Sequence, residues 1–183
     1  HAHPRVVAAA QRQVARLPHA LGDMHPSVAK LELLEALAAR VDFDARIILG
    51  LNGADAIAAA LKTAVLATSR PGVIAFEGGY HGLMYGPLAI CGSHPQFRAP
   101  FAEQLNPHVR FVPYGDADAL GAALDESIGA VVVEPALGRG GLVFPPEGFL
   151  GAVEGLARAH GALLIVDEIF TGLGRTGKRF ASE

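Results

Sequence analysis

The sequence predicts an α/β fold, a three-layer sandwich built on a mostly parallel sheet. Short apolar runs rich in Val and Ile recur at Arg46–Leu51, Val73–Phe76, Val109–Pro113, Ala130–Glu134 and Ala162–Asp167, each bounded by Gly, Pro or charged residues. Continuous apolar runs of that length mark strands buried on both faces. Helical patterns lie between them, and such alternation points to a layered parallel sheet. Composition agrees: 183 residues, 51% hydrophobic and 18% charged, with 22 glycines and 12 prolines dispersed along the chain, are enough for one ordered core. One domain is the default expectation.

The elements read in the order helix, helix, strand, helix, strand, loop, strand, helix, strand, helix, strand. A helix over Ser27–Val41 places Leu31, Leu34, Ala38 and Val41 on one face, spacing that suits a helix covering a sheet. Ala54–Thr68 and Asp116–Ser127 are further helices. Pro146–His160 carries the stripe Phe149, Val153, Leu156 and Ala157, and Gly161 supplies its C-terminal stop. The least regular part, Gly78–Pro107, reads as a long loop, and long loops in compact domains carry function.

Several function classes fall away on composition. The net charge of −3 arises from 15 basic and 18 acidic residues scattered along the chain, so no cationic stripe exists for nucleic acid. Cys91 is the single cysteine, which excludes an internal disulfide and a cysteine-rich zinc site, and fits a reducing, cytoplasmic setting. No apolar run approaches the ~20 residues of a membrane span, and the opening HAHPRVVAAA has neither a signal-peptide layout nor an initiating methionine. The histidines form no metal-ligand constellation, so no metal is expected.

Three segments carry candidate chemistry. The turn Gly50–Asp55 joins a strand to an Ala-rich helix, and the small Gly53 and Ala54 would let an anion approach the free amides of that helix end, with Asn52 as cap. An N-cap beside a glycine is also ordinary helix grammar. Asp167 and Glu168 end the apolar strand Ala162–Val166, at the edge of an open α/β sheet where ligands sit. An acid held there favours a protonated partner such as a pyridinium nitrogen, although a structural ion pair would look the same. In Glu77–Gly82, Tyr80 offers a flat face and His81 a hydrogen bond.

Two glycine motifs mislead. Gly172, Gly174 and Gly177 match the dinucleotide fingerprint, and Gly172–Lys178 matches most of a phosphate-binding loop. The first needs a helix after Gly177 and an acid some 20 residues on. The second needs Ser or Thr where Arg179 stands.

Taken together, Asn52-Gly53-Ala54-Asp55-Ala56, Phe76–Gly82, Val133-Glu134-Pro135, Asp167-Glu168-Ile169 and Thr171–Lys178 occur in an order that resembles the class III aminotransferases among the fold-type I pyridoxal phosphate (PLP) enzymes. The resemblance runs from His1-Ala2-His3-Pro4 to Phe180. It implies PLP as cofactor, with Gly53 and Ala54 on its phosphate, Tyr80 stacked on its ring, Asp167 on the ring nitrogen, Ile169 on the other face, and Glu134 and His81 lining the same pocket. It implies transfer of an amino group between an amine or amino acid and a keto acid or aldehyde, in a homodimer. The family's Schiff-base lysine is expected beyond Glu183, since Lys178 is too close to Asp167 for that role. So are the later large-domain strands and the small domain, which makes these residues a partial PLP-binding large domain without its N-terminal arm.

Two positions depart from the pattern. Phe170 stands where many members carry a glutamine, and Arg139 where many carry a glutamate near the substrate carboxylate. Besides the aminotransferase reading, a glutamate-semialdehyde-type aminomutase and a catalytically inactive module that binds a ligand or partner remain open.

Overall fold

The structure, a computed structural model, describes residues 2–22 and 24–183. His1, with which the family resemblance begins, lies outside the described residues. The chain divides into two compact units, His1–Ile47 and Ile48–Glu183.

In the first unit, helix α1 spans Pro4–Arg16, with Pro4 in the first turn and the Arg5 amide donating to His3 Nδ1 at 3.3 Å. Helix α2 spans Val28–Ala38 and starts on Ser27, whose hydroxyl accepts from the Lys30 amide at 3.3 Å. It stops three residues short of Val41. The amides of Arg40 and Val41 turn to the carbonyls of Leu37 and Ala38, three residues back, and tighten the end. No residue of α2 is buried.

The second unit holds helix α3 at Gly53–Thr68, strand β1 at Gly72–Phe76, short helices α4 at Tyr85–Ala89 and α5 at Pro95–Arg98, and a 3-10 turn at Ala99–Gln104. Strand β2 at Val109–Val112, helix α6 at Ala117–Ala123, strand β3 at Ile128–Val133, helix α7 at Phe149–Ala159 and strand β4 at Leu163–Val166 follow. The sheet order is β2-β1-β3-β4, and every pair is parallel.

Five sequence expectations shift. Arg46–Leu51 forms no strand: nothing among the described residues pairs with it, and Ile48 and Leu51 are exposed. An apolar run cannot by itself supply the neighbouring backbone that a ladder needs. The helix expected to reach Ser127 ends at Ala123, because Asp125 Oδ1 captures the Ser127 amide and hydroxyl while Arg110 donates to Oδ2, forming a side-chain-closed turn. The helix expected from Pro146 begins at Phe149, after Gly148 at φ 79°. The loop Gly78–Pro107 contains α4, α5 and the 3-10 turn, each too short for helical periodicity to be legible. Finally, β3 begins two residues early, at Ile128, through a bulge.

That bulge sets which side chains face which layer. Gly72 pairs with Ile128 but Val73 with Ala130, leaving Gly129 as the extra residue. A Cβ on Gly129 would lie 2.5 Å from the Arg70 carbonyl, so only glycine fits. Val73, Ala75, Ala130 and Val132 then face Ile57 and Ala64 of α3, whereas Ile74, Phe76, Ile128, Val131 and Val133 face Leu120 of α6 and Val153 of α7. Helices on both faces make the three-layer sandwich. Phe76, Tyr114 and Phe149 meet edge to face with centroids 5.4–5.9 Å apart, geometry that contributes roughly 0.5–1.5 kcal/mol per pair beyond burial.

Chain connections leave β1 toward β2 on one side and β3 toward β4 on the other. The carboxyl ends of β1 and β3 therefore flank a crevice where the strand order reverses, the place in open α/β sheets where ligands bind.

Candidate functional site

Four segments converge outside the carboxyl ends of the strands. The first is the start of α3. Asn52 Oδ1 accepts the Asp55 amide at 3.0 Å, and Asp55 Oδ2 accepts the Leu51 amide at 3.0 Å, a reciprocal cap that fixes where the helix begins. The amides of Gly53 and Ala54, in the first turn, have no intrahelical acceptor. Ile169 packs so closely on Gly53 that a Cβ there would lie 2.7 Å from Ile169 Cδ1.

The second segment is the turn after β1. Gly78 takes φ 82°, and the Gly79 carbonyl accepts the amides of Gly92 and Ser93 at 2.8 and 2.9 Å, which anchors the turn to the following loop. Gly82, at φ 111°, presses on α3: a Cβ would lie 2.5 Å from the Ala54 Cβ. Between them stand Tyr80 and His81.

The third is Glu134, one residue past β3 and buried. Its Oε1 accepts the Tyr80 amide at 2.8 Å and its Oε2 the Gly138 amide at 3.1 Å. Burial raises the Glu134 carboxyl above its ordinary value, and these two amides and His81 only partly offset it. Tyr114 donates to the Glu134 carbonyl at 2.8 Å, and burial, then the Glu134 charge, pushes its hydroxyl above the ordinary phenol range.

The fourth is the exit from β4. The Asp167 amide still donates to the Val133 carbonyl at 2.8 Å, so the sheet aims this side chain. Asp167 Oδ2 lies 2.8 Å from His81 Nδ1, and Oδ1 accepts the Ile169 amide at 3.1 Å. Asp167 and His81 are 5% and 3% exposed, a pairing that water does not compete for.

One cavity of about 540 Å³ is lined by Asn52, Gly53, Ala54, Tyr80, His81, Glu134, Asp167 and Ile169, so the structure brings together every site residue expected from the sequence. Gly82, Leu83, Gly138, Arg139 and Phe170 line it too. Gly82 belonged to a motif already singled out, and Arg139 and Phe170 stood out only as departures from a pattern. Gly138 enters through a small hairpin closed by Leu137 and Val143, which exchange backbone bonds of 2.9 and 3.1 Å. Leu83 had no legible signal. The glycines at 172 and 174 sit in turns and Gly177 in a bend.

The fold and site define a parallel α/β domain with an acid-lined ligand cavity at a topological switch point. Residues 1–183 match the family model described as aminotransferase class-III. The chain belongs to the class III aminotransferases. It is 42% identical over 184 residues to the acetylornithine aminotransferase of Methanopyrus kandleri, covering all of this chain and 46% of that protein. It superposes on the ornithine aminotransferase of Toxoplasma gondii with a TM-score of 0.90 at 34% identity, covering 100% of this chain and 44% of that one. A second structure of the Toxoplasma enzyme, 33% identical with a TM-score of 0.90, is described as having partial occupancy of PLP at its active site. The chain thus spans under half the length of the relatives it matches. No helix among the described residues is long and apolar enough to cross a membrane.

Proposed function

We propose that these residues form the PLP-binding part of an enzyme that transfers an amino group between an amine or amino acid and a keto acid or aldehyde. The observation that carries this reading is the convergence, on one cavity, of the unpartnered helix-start amides of Gly53 and Ala54, the ring of Tyr80 and the buried Asp167. That donor set fits the group: amides at a helix start suit a phosphate, a phenol ring suits stacking, and a buried carboxylate suits a protonated ring nitrogen.

When bound, the cofactor supplies a carbonyl that takes up an amine and a ring that accepts electrons from the adjacent carbon. The chain's own residues bind and orient. Gly53 and Ala54 would hold the phosphate, with Asn52 fixing the helix start behind them. Tyr80 and Ile169 would hold the ring. Asp167 would keep a proton on the ring nitrogen, its carboxylate aimed by His81 and the Ile169 amide. Glu134 orients Tyr80 by accepting its backbone amide.

The test is a titration of pyridoxal phosphate into the full chain, followed by quenching of tyrosine emission, which the absence of tryptophan leaves uncluttered. Saturable binding, weakened at least tenfold in Asp167→Ala, is expected; a tenfold loss corresponds to about 1.4 kcal/mol. No saturable binding by the unmodified chain sinks the reading.

We further propose that the chain acts as a cytoplasmic homodimer. Its lone cysteine suits a reducing compartment. An apolar groove of about 450 Å³ between α3 and the β2 edge, lined by Leu61, Val65, Leu66, Val73, Ile90 and Val109, leaves Leu66 84% exposed, which favours self-association. A monomer by light scattering at micromolar concentration rejects that.

A further inference from the structure

The geometry points to a second ligand site, centred on Arg98 at the edge of the sheet, that takes a small carboxylate carried on a short apolar chain. It shares no lining residue with the cavity that gathers Tyr80 and Asp167, so it stands or falls apart from the reading above.

Arg98 closes α5, and its Nε is the one buried side-chain nitrogen or oxygen among the described residues without a hydrogen-bond partner. No carboxylate pairs with its guanidinium among the described residues either. A sheltered donor on a cation is costly to leave unpaired, and an anion answers both the missing hydrogen bond and the missing charge. Beside it opens a cavity of about 350 Å³ where α5, the 3-10 turn and β2 meet, lined by Arg98, Ala99, Ala102, Leu105, Val109 and Phe111. Arg98 is the only charged lining residue. Asn106, at the rim, is already engaged: it donates to the Pro71 carbonyl at 3.0 Å and accepts the His108 amide at 2.9 Å.

The cation is held in place. Its guanidinium carbon lies 4.3 Å from the centroid of the Phe111 ring, on the edge strand β2. A guanidinium seated on an aromatic face keeps its edge N–H donors for an oxyanion. The backbone on either side is pinned as well. The His94 ring stacks on Phe97 with centroids 5.2 Å apart, and Phe101 of the 3-10 turn meets Tyr85 of α4 at 5.9 Å. A cation positioned in this way loses little freedom when it captures an anion.

The donor set decides the class of anion. Nε–H and a neighbouring Nη–H form a fork that matches the two oxygens of a carboxylate. A phosphate would press further oxygens against Ala99, Ala102, Leu105 and Val109, whose side chains offer no donor, whereas a short alkyl chain suits those walls. Ala89, Asn106 and Val109 also line the apolar groove beside α3, so a second copy seated there is the competing occupant.

The test uses the full chain with isotope-labelled arginine. The Arg98 Nε–H signal, identified by its loss in Arg98→Lys, is followed by NMR as butanoate, its neutral isostere butanamide, or inorganic phosphate is added. Butanoate should shift the signal saturably, at about tenfold lower concentration than the other two. Ala102→Phe, which fills the mouth of the cavity from an exposed position and leaves Arg98 in place, should remove that response while pyridoxal phosphate affinity stays unchanged. The inference is overturned if no addition moves the signal, which would leave Nε–H to water, if butanamide or phosphate saturates it as readily as butanoate, or if Ala102→Phe keeps the response. A fall in mass by light scattering in Arg98→Lys, with butanoate silent on the unmodified chain, assigns Arg98 to a contact between copies and overturns it too. Equal loss of butanoate and pyridoxal phosphate in Ala102→Phe overturns the separation of the two sites, whereas a butanoate response without pyridoxal phosphate binding defeats the cofactor reading alone.

Discussion

Glu168 gives the sharpest test of how the cavity wall is held. Its carboxylate accepts the Ala181 amide at 2.8 Å, the Ser182 amide at 2.9 Å, the Ser182 hydroxyl at 2.6 Å and the Thr171 hydroxyl at 2.9 Å. Residues 171–183 hold no helix or strand, and this side chain, together with the Gly172 amide on the Glu168 carbonyl at 2.8 Å, fastens the segment next to Ile169 and Phe170. Hydrogen bonds to a charged group contribute roughly 1.5–3 kcal/mol when sheltered, but Glu168 is only partly buried, and solvent screening reduces each amide bond to roughly 1 kcal/mol. Losing both in Glu168→Ala should shift the opening equilibrium by about 2 kcal/mol, or about 30-fold. Hydrogen exchange at the amides of Ala181 and Ser182 measures this directly, with Glu168→Gln intermediate because it keeps one acceptor oxygen. Burial alone would raise the Glu168 carboxyl, but the bonds from Ser182, Ala181 and Thr171 outweigh it and hold it below its ordinary value. A depressed acid stabilises above its unfolded pKa and loses that contribution as pH falls through the folded one. After correction for intrinsic exchange, protection at Ala181 and Ser182 should therefore fall in acid, and the glutamine variant should lack that acid step. Unchanged exchange in Glu168→Ala, or an equal rise across β1 and β3, refutes the reasoning.

Other perturbations follow from the same geometry. Asp167→Ala strips His81 and the Ile169 amide of their acceptor, and should destabilise the chain by about 3 kcal/mol in urea unfolding; a loss under 1 kcal/mol would mean water replaces the carboxylate. Gly82→Ala must adopt φ 111° and place a methyl 2.5 Å from the Ala54 Cβ. It should cost about 2 kcal/mol and weaken pyridoxal phosphate binding, both read in one thermal-shift series. Leu120→Ala, at 0% exposure beneath the sheet, should cost about 3 kcal/mol with cofactor affinity intact.

What the sequence made legible depended on how local each determinant is. The start of α3, expected at Ala54 and found at Gly53, was readable to within one residue because Asn52 and Asp55 cap it within four residues. Strands β1 and β3 were readable because burial on both faces leaves a continuous apolar run; β4 shows the same run although Leu163 is exposed and the rest of the strand is half-buried. Arg46–Leu51 misled because pairing needs a neighbour that no local pattern reveals. The bulge at Gly129 was hidden because its cause is the Arg70 carbonyl, 59 positions away. The eight cavity residues came through motif order, whereas the hydrogen bond between His81 and Asp167 joins residues 86 apart and only the fold could disclose it.

The exit of β4 behaves like a reading frame. Within four positions, Asp167 reaches His81, Glu168 fastens the following segment, Ile169 covers Gly53 and Phe170 covers Gly138. Deleting one residue between Ala162 and Val166 would bring Glu168 into the place of Asp167, keeping an acid there one methylene longer, while Ile169 would inherit a position that demands four accepted hydrogen bonds. Inserting one residue would set Val166 against His81. A substitution here disturbs one contact at a time, whereas a change of length rewrites all four together.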